Sequence, residues 1–318
     1  MARPFLKWAG GKTQLLSILL DVLPKQIESY YEPFLGGGAL FFALADLGRF
    51  HQATINDFNS DLIETYRAIR DTPEEVIDLL KDMSFTPELY ESLRLNKPDS
   101  PAERAARIIY LNKTCYNGLY RVNQKGEFNA PIGDFGERAP RILDAPNLRE
   151  VSRVLRYGVG IYTGDFVQAV AGAREGDTVY FDPPYVPLNT TSSFTSYTRD
   201  GFTLDDQRRL AFCFRDLTQK GVKVVASNSD TATIRDLYRD FDVHAIPVRR
   251  PINSVGSARG FVEEVLVFNF PDPERSDKLA HAAAEIQERK EKKVKQVAPL
   301  EGQVAFELAM ELGWDADD

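Results

Sequence analysis

Two cysteines, Cys115 and Cys213, stand far apart in 318 residues with no CxxC between them, which argues against a disulfide framework or a thiolate zinc site. The three histidines, His51, His244 and His281, form no ligand pattern, so no metal is expected. No apolar run approaches the roughly 20 residues that span a bilayer. The start, Met1-Ala2-Arg3-Pro4-Phe5-Leu6-Lys7, meets Gly10-Gly11 too soon to be the apolar core of an export signal. A soluble cytoplasmic protein is the expectation. Positive charge is also short, with 39 Lys and Arg against 47 Asp and Glu and a net charge of −8. That balance argues mildly against nucleic acid, because phosphate binding is driven by basic side chains.

The average conceals an asymmetry. Between Pro101 and Tyr157 ten basic residues face six acidic ones, making this window a candidate anion-facing surface or a solvated mixed-charge one. The hydrophobic fraction of 43% is enough for one large α/β domain, or one domain with an insertion.

Strand and helix patterns alternate. Strands are expected at 30–34 and 53–56, each followed by a helix (39–47, 61–70). This is the βαβα opening of a doubly wound sheet. Residues 71–111 read as mostly helical with breaks at Pro73, Pro87 and Pro98, and 112–146 as loops plus a hairpin. The rhythm resumes at 160–162, with strands at 178–181, 222–226, 243–246 and 262–270 and helices at 204–220 and 231–238. The expected division is an α/β domain from 1–59 and 157–270, an inserted, mostly helical domain from 60–156, and a helical or partly disordered tail from 271–318.

Three motifs carry chemistry. Phe34-Leu35-Gly36-Gly37-Gly38 lies between a strand and a helix, where glycines let the backbone approach a ligand and the helix start offers N–H groups. A nucleoside cofactor fits there; a plain tight turn would read the same. Asp57 ends the next strand about 20 residues on, the spacing at which an acid meets ribose hydroxyls; a helix N-cap is the plainer alternative, and the spacing favours the ribose role. Gly10-Gly11-Lys12-Thr13 fails as a phosphate loop, because position 6 is leucine and no strand precedes it.

Asp182-Pro183-Pro184-Tyr185 is the strongest signal. It follows the apolar strand Val179-Tyr180-Phe181, at a sheet's carboxyl edge. Two prolines hold the chain extended, directing the Asp182 carboxylate and the Pro183 carbonyl at one point. An exocyclic amine has two donors to match, and Tyr185 offers a face for a base.

With these motifs in view, residues 4–270 resemble the Dam family of DNA adenine-N6 methyltransferases, in the class alpha order of cofactor motif, recognition region and catalytic motif. The likeness rests on Pro4-Phe5-Leu6-Lys7-Trp8-Ala9-Gly10-Gly11-Lys12, Pro33 to Gly38, Ile55-Asn56-Asp57, the Asp182 motif, and Leu111 to Asn123 followed by Gly126 to Gly133. It implies a Rossmann-like methyltransferase fold, encoded by a bacterium or phage and acting as a monomer on double-stranded DNA, with a restriction-modification role among its uses. It implies S-adenosylmethionine as cofactor, held by Trp8, Lys12, Phe34, Gly36, Gly38, Asp57, Asp165 and Asp182. It also implies a GATC-type recognition hairpin in which Arg121 reads a guanine, Tyr116, Asn117, Leu119 and Asn123 contact or wedge the site, and Pro131 touches a thymine methyl. The adenine would be flipped out, its N6 hydrogens taken by Asp182 and Pro183, and its nitrogen would attack the sulfonium methyl directly. Rival readings are an RNA adenine or guanine amino-methyltransferase, a DNA cytosine-N4 methyltransferase, and a catalytically silent DNA-binding module.

Overall fold

The computed structural model describes residues 1–8, 15–118, 120–123, 126–136, 139–186, 202–249 and 261–284. Its centre is a sheet of seven strands: β1 (Ile27–Glu32), β2 (Phe50–Asp57), β3 (Val159–Thr163), β4 (Thr178–Phe181), β5 (Lys223–Ser229), β6 (Asp242–Arg249) and β7 (Phe261–Phe268). They run in the order β3-β2-β1-β4-β5-β7-β6. The first five pair in parallel, and β7 enters antiparallel between β5 and β6.

Strand alternation builds a core on each face, because successive side chains point to opposite sides. Tyr180, Val225, Leu266 and Phe268 join one buried cluster, while their neighbours Val179, Phe181, Val224, Ala226, Val265 and Val267 join the other. The first face is covered by α1 (Leu16–Val22), α2 (Ala39–Asp46) and α3 (Ser60–Asp71), the second by α8 (Phe166–Ala169), α9 (Leu204–Gln219) and α10 (Ala232–Leu237). This is the doubly wound, Rossmann-like arrangement. Burying each Leu or Phe in such a core contributes about 1.5–3 kcal/mol. The chain's many exposed ion pairs are each worth only ~0–1 kcal/mol.

Between β2 and β3 the chain adds α4 (Pro73–Lys81), α5 (Pro87–Leu95), α6 (Pro101–Thr114) and α7 (Ala145–Arg156). Pro73 and Pro87, expected as breaks, stand in the opening turns of α4 and α5, as Pro101 does in α6. Proline is tolerated there because the first helical N–H groups have no intrahelical partner. Val76, Ile77 and Leu80 of α4, Ile108 and Leu111 of α6, and Leu148, Val151 and Leu155 of α7 belong to the same buried cluster as Ile27, Tyr30, Ala53 and Ile55 of the sheet.

One strand boundary differs from expectation for a physical reason. β1 ends at Glu32 because Pro33 has no N–H for the ladder, and the Pro33 carbonyl instead accepts from Asn56 Nδ2 at 3.0 Å. Beyond Pro271, residues 275–284 are helical and anchored: Leu279 is buried, and the buried Arg275 guanidinium lies 4.0 Å from the Phe268 ring centroid and pairs with Asp242.

Candidate active site and recognition hairpin

Strand order reverses between β1 and β4, which are neighbours although β2 and β3 lie to one side and β5 to the other. Crevices at the carboxyl ends beside such a reversal are where α/β sheets bind ligands. The loops leaving β1, β2, β3 and β4 carry Phe34 to Gly38, Asp57, Asp165 and Asp182 to that edge.

The turn after β1 is tied to Asp57. Gly36 N–H donates to Asp57 Oδ2 at 3.0 Å, and Asn59 N–H to Oδ1 at 2.9 Å. Asp57 is not the helix cap; Asn59 is, accepting from Leu62 N–H at 3.0 Å. Burial raises the Asp57 carboxyl above the ordinary aspartate value, against the backbone N–H groups of Asn59, Gly36 and Phe58 that lower it. Gly36 has φ +50 and Gly38 φ +70, in the left-handed region that favours glycine. A Cβ on Gly36 would lie 2.9 Å from Trp8 Cδ1, and one on Gly38 would lie 2.9 Å from Tyr66 Oη. Asn56 Nδ2 also donates to the Gly164 carbonyl at 3.0 Å, drawing the loop that bears Asp165 beside Asp57. Asp165 caps α8 through Val167 N–H at 2.9 Å and pairs with Arg209 at 2.6 Å. Phe34 packs among Phe166, Phe181 and Phe202. Phe58, directly after Asp57, is 65% exposed.

The Asp182 loop rests on a polar scaffold absent from the sequence expectations. Ser227 Oγ donates to Asp182 Oδ1 at 2.8 Å and also meets the Tyr180 hydroxyl at 3.0 Å. Gln207 Nε2 donates to the Pro184 carbonyl at 2.9 Å, and Asn228 Nδ2 holds Gln207 Oε1 at 3.0 Å. Ser229 Oγ donates to the Val186 carbonyl at 2.8 Å. The loop lies past the end of β4, and side-chain donors of β5 and α9 satisfy its acceptors in place of a strand ladder. The polar run Ser227-Asn228-Ser229, ending an apolar strand, was the available signal. Tyr185 donates its hydroxyl to Glu264 Oε2 at 2.7 Å. Burial, then Asp182 and Glu264, hold the Tyr185 phenol well above its usual pKa. Glu32, buried at the end of β1, accepts from Tyr30 Oη at 2.7 Å, and burial pushes its carboxyl up to about 8. Among the described residues no three His, Cys, Asp or Glu side chains converge as a metal site, and no helix is long and apolar enough to cross a membrane.

The residues expected to contact DNA lie on a separate hairpin. Bridges join Cys115 to Ile132 and Val122 to Phe128, and Tyr116 N–H donates to the Pro131 carbonyl at 2.9 Å. Tyr116 is 53% exposed, and Asn117 is the one non-glycine among the described residues with positive φ, +54. Pro131 is exposed. Arg121 is exposed and braced by Asn129: its Nε donates to Asn129 Oδ1 at 2.7 Å and its Nη2 to the Asn129 carbonyl at 2.9 Å. Asn123 closes the turn through Glu127, its Nδ2 donating to Glu127 Oε2 at 2.8 Å. Lys12 and Leu119 lie outside the described residues.

Lys7, Asn112 and Tyr120, which stand in the motifs without an assigned role, join hairpin to crevice together with Trp8. Asn112 is buried; its Oδ1 accepts Lys7 N–H at 2.8 Å and its Nδ2 donates to the carbonyls of Lys7 and Gly118. The Lys7 stem packs on Gly118, where a Cβ would meet it at 2.6 Å. Trp8 touches Gly36 on one side and stacks on Tyr120 on the other, with centroids 5.1 Å apart, while the Tyr120 hydroxyl donates to Asp61 at 3.1 Å. The basic window is less anion-facing than its composition. Arg107 is buried with its guanidinium on the carbonyls of Leu93 and Arg94, Arg104 pairs with Glu64, Arg149 with Glu74, and Arg153 with Glu150.

Comparison with known proteins agrees with this geometry. A family model described as D12 class N6 adenine-specific DNA methyltransferase matches residues 8–252. The chain is 45% identical to the type II methyltransferase M1.LlaDCHI of Lactococcus lactis subsp. cremoris, over 84% of this chain and 95% of that protein. It is 41% identical to the type II methyltransferase M.MjaIII of Methanocaldococcus jannaschii, over 84% of this chain and 99% of that one. It is 36% identical to the DNA adenine methylase of Escherichia coli K12, over 85% of this chain and 96% of that one.

Proposed function

The chain belongs to the D12 class of N6 adenine-specific DNA methyltransferases, and from that premise we propose that it methylates adenine within GATC of double-stranded DNA, as a monomer, with residues 60–156 as the inserted recognition region. S-adenosylmethionine supplies the methyl group as an activated sulfonium. The crevice fits it. A carboxylate offers about four lone-pair sites. At Asp57 three backbone N–H groups face the carboxylate, which leaves acceptor capacity for a ribose hydroxyl. The exposed Phe58 ring next to it suits a purine, and Trp8, Gly36 and Asp165 border the same crevice.

At the reacting end the Asp182 carboxylate and the Pro183 carbonyl accept the two N6 hydrogens of an adenine turned out of the duplex. Two acceptors on one amine favour a pyramidal nitrogen whose lone pair leaves the ring's conjugation. Ser227 holds Asp182 in that orientation, and Tyr185 presents its ring to the base. The Asp182 carboxylate then takes the proton that the methylated nitrogen sheds. The observation that carries this reading is the Asp182 loop itself, set at the end of β4 beside the order reversal and locked by Ser227, Gln207 and Ser229.

Methylation of a plasmid followed by digestion with GATC-cutting nucleases of opposite methylation preference tests it. Protection from the methylation-blocked nuclease together with cleavage by the methylation-requiring one is expected, with N6-methyladenine in the nucleoside digest. Methylation at another sequence refutes GATC, N4-methylcytosine would favour the cytosine reading, and faster transfer to RNA than to duplex DNA would favour the RNA one.

A further inference from the structure

Glu264 belongs to no motif read from the sequence. On β7 it pairs with Ser229 of β5 on one side and Ile246 of β6 on the other, which sets it at the sheet edge occupied by the Asp182 loop. Glutamate is disfavoured in strands, and a carboxylate away from water costs free energy unless hydrogen-bonded. Here its Oε2 takes the Tyr185 hydroxyl at 2.7 Å, in a partly buried bond.

The geometry gives that bond a use. Pro183 and Pro184 fix the backbone leading to Tyr185, so the ring's orientation depends on its own two torsions. A hydroxyl clamped at the far end of the ring removes most of that freedom. A charge-assisted O–H···O⁻ bond is about twice as strong as a neutral one, which suits it to the task. Burial, then Asp182 and Glu264, hold the phenol above its usual pKa, and its hydrogen is already given to Glu264, which suits the hydroxyl to anchoring the ring.

We infer that Glu264 is a positioning residue of the methyl-transfer reaction: through the Tyr185 hydroxyl it fixes the ring plane on which the extrahelical adenine stacks. This rests on the reading of Tyr185 as the stacking residue. A surface held in one orientation before the base arrives costs nothing to order afterwards, and that advantage falls on the chemical step rather than on duplex binding.

The test compares Glu264→Ala, Glu264→Gln, Tyr185→Phe, the double variant Glu264→Ala/Tyr185→Phe and, as the control for stacking, Tyr185→Ala. It measures single-turnover methylation, duplex affinity, and fluorescence of 2-aminopurine at the target position. Glu264→Ala and Tyr185→Phe should each slow methylation about tenfold, the double variant should be no slower than the slower single one, and duplex affinity should stay within about twofold. Glu264→Gln should stay within about threefold of wild type, because its amide oxygen still accepts the hydroxyl. Emission should brighten in Glu264→Ala as stacking loosens. Losses that multiply in the double variant, a wild-type rate in Glu264→Ala, or equal damage from Gln and Ala would overturn the inference while leaving the proposed function intact. If Tyr185→Ala leaves emission unchanged, the stacking reading fails and takes this inference with it; a wild-type protein that leaves DNA unmethylated removes the proposed function as well.

Discussion

Ser227 Oγ donates to Asp182 Oδ1 at 2.8 Å, joining the polar end of β5 to the loop that leaves β4. The bond fixes one carboxylate oxygen, so the other is directed by the backbone of the proline pair. Asp182→Ala is expected to abolish nearly all turnover while duplex binding persists. Ser227→Ala keeps the carboxylate but lets it rotate; hydrogen bonds to charged groups contribute roughly 1.5–3 kcal/mol, so kcat should fall about tenfold or more with little change in KM. Steady-state methylation of an oligonucleotide duplex decides, and wild-type kcat in Asp182→Ala would refute the mechanism.

Glu32 makes stability depend on pH. Its carboxyl is held at about 8 by burial, against an ordinary value of 4.5. Between those values the folded chain retains a proton that the unfolded chain has lost, so stability falls as pH rises through the window and levels off above about 8. Glu32→Gln preserves an acceptor for Tyr30 and has nothing to titrate. The variant should therefore gain stability relative to wild type from pH 5 to pH 9, read as the difference in urea midpoints at constant slope. A difference independent of pH would show that Glu32 does not titrate in that window.

Asp57 has two duties that a substitution separates. It closes the turn after β1 by accepting Gly36 N–H, and in the proposed function its remaining acceptor capacity serves the cofactor. Asp57→Ala should weaken S-adenosylmethionine binding about tenfold or more, by the loss of charge-assisted hydrogen bonds. Asp57→Asn, which retains one carbonyl-type acceptor, should fall between the two. Calorimetric titration gives both values, and undiminished affinity in the alanine variant would remove Asp57 from the cofactor site.

Legibility from sequence followed the range of the interaction. β4 was readable to the residue, since Thr178-Val179-Tyr180-Phe181 is a short buried run stopped by an acid and two prolines. The order of strands and helices was readable for the same local reasons, although α1 and α7 were passed over despite the helical spacing of Leu148, Val151 and Leu155. Asp57, Asp182 and the glycines stand out as candidates because motif spacing is itself local. Ser227, Gln207 and Glu264 do not, because each acts on a loop 23 to 79 residues away and nothing in the neighbouring residues records the partner. Arg107 marks the limit of charge counting: it entered the basic window by type, yet its guanidinium points inward to two carbonyls.

Arg121 carries the most exposed prediction. Asn129 engages its Nε and one Nη2 hydrogen, which orients the guanidinium, and does not engage the edge formed by Nη1 and the second Nη2 hydrogen. Two parallel donors on a braced fork match O6 and N7 of guanine in the major groove. A phosphate contact would use the same edge, and the two roles behave differently. As a base reader, Arg121→Ala should lose roughly 1–3 kcal/mol on GATC and relax selectivity at one position only, with the salt slope little changed. As a phosphate binder it would weaken all sequences alike and reduce the salt slope by about one. Asn129→Ala adds a second arm, since it leaves the guanidinium in place but unbraced, and should relax the same position to a smaller degree. Methylation rates on GATC and its single-base variants for the three proteins distinguish these outcomes, and a uniform loss across sites in Arg121→Ala would end the base-reading role.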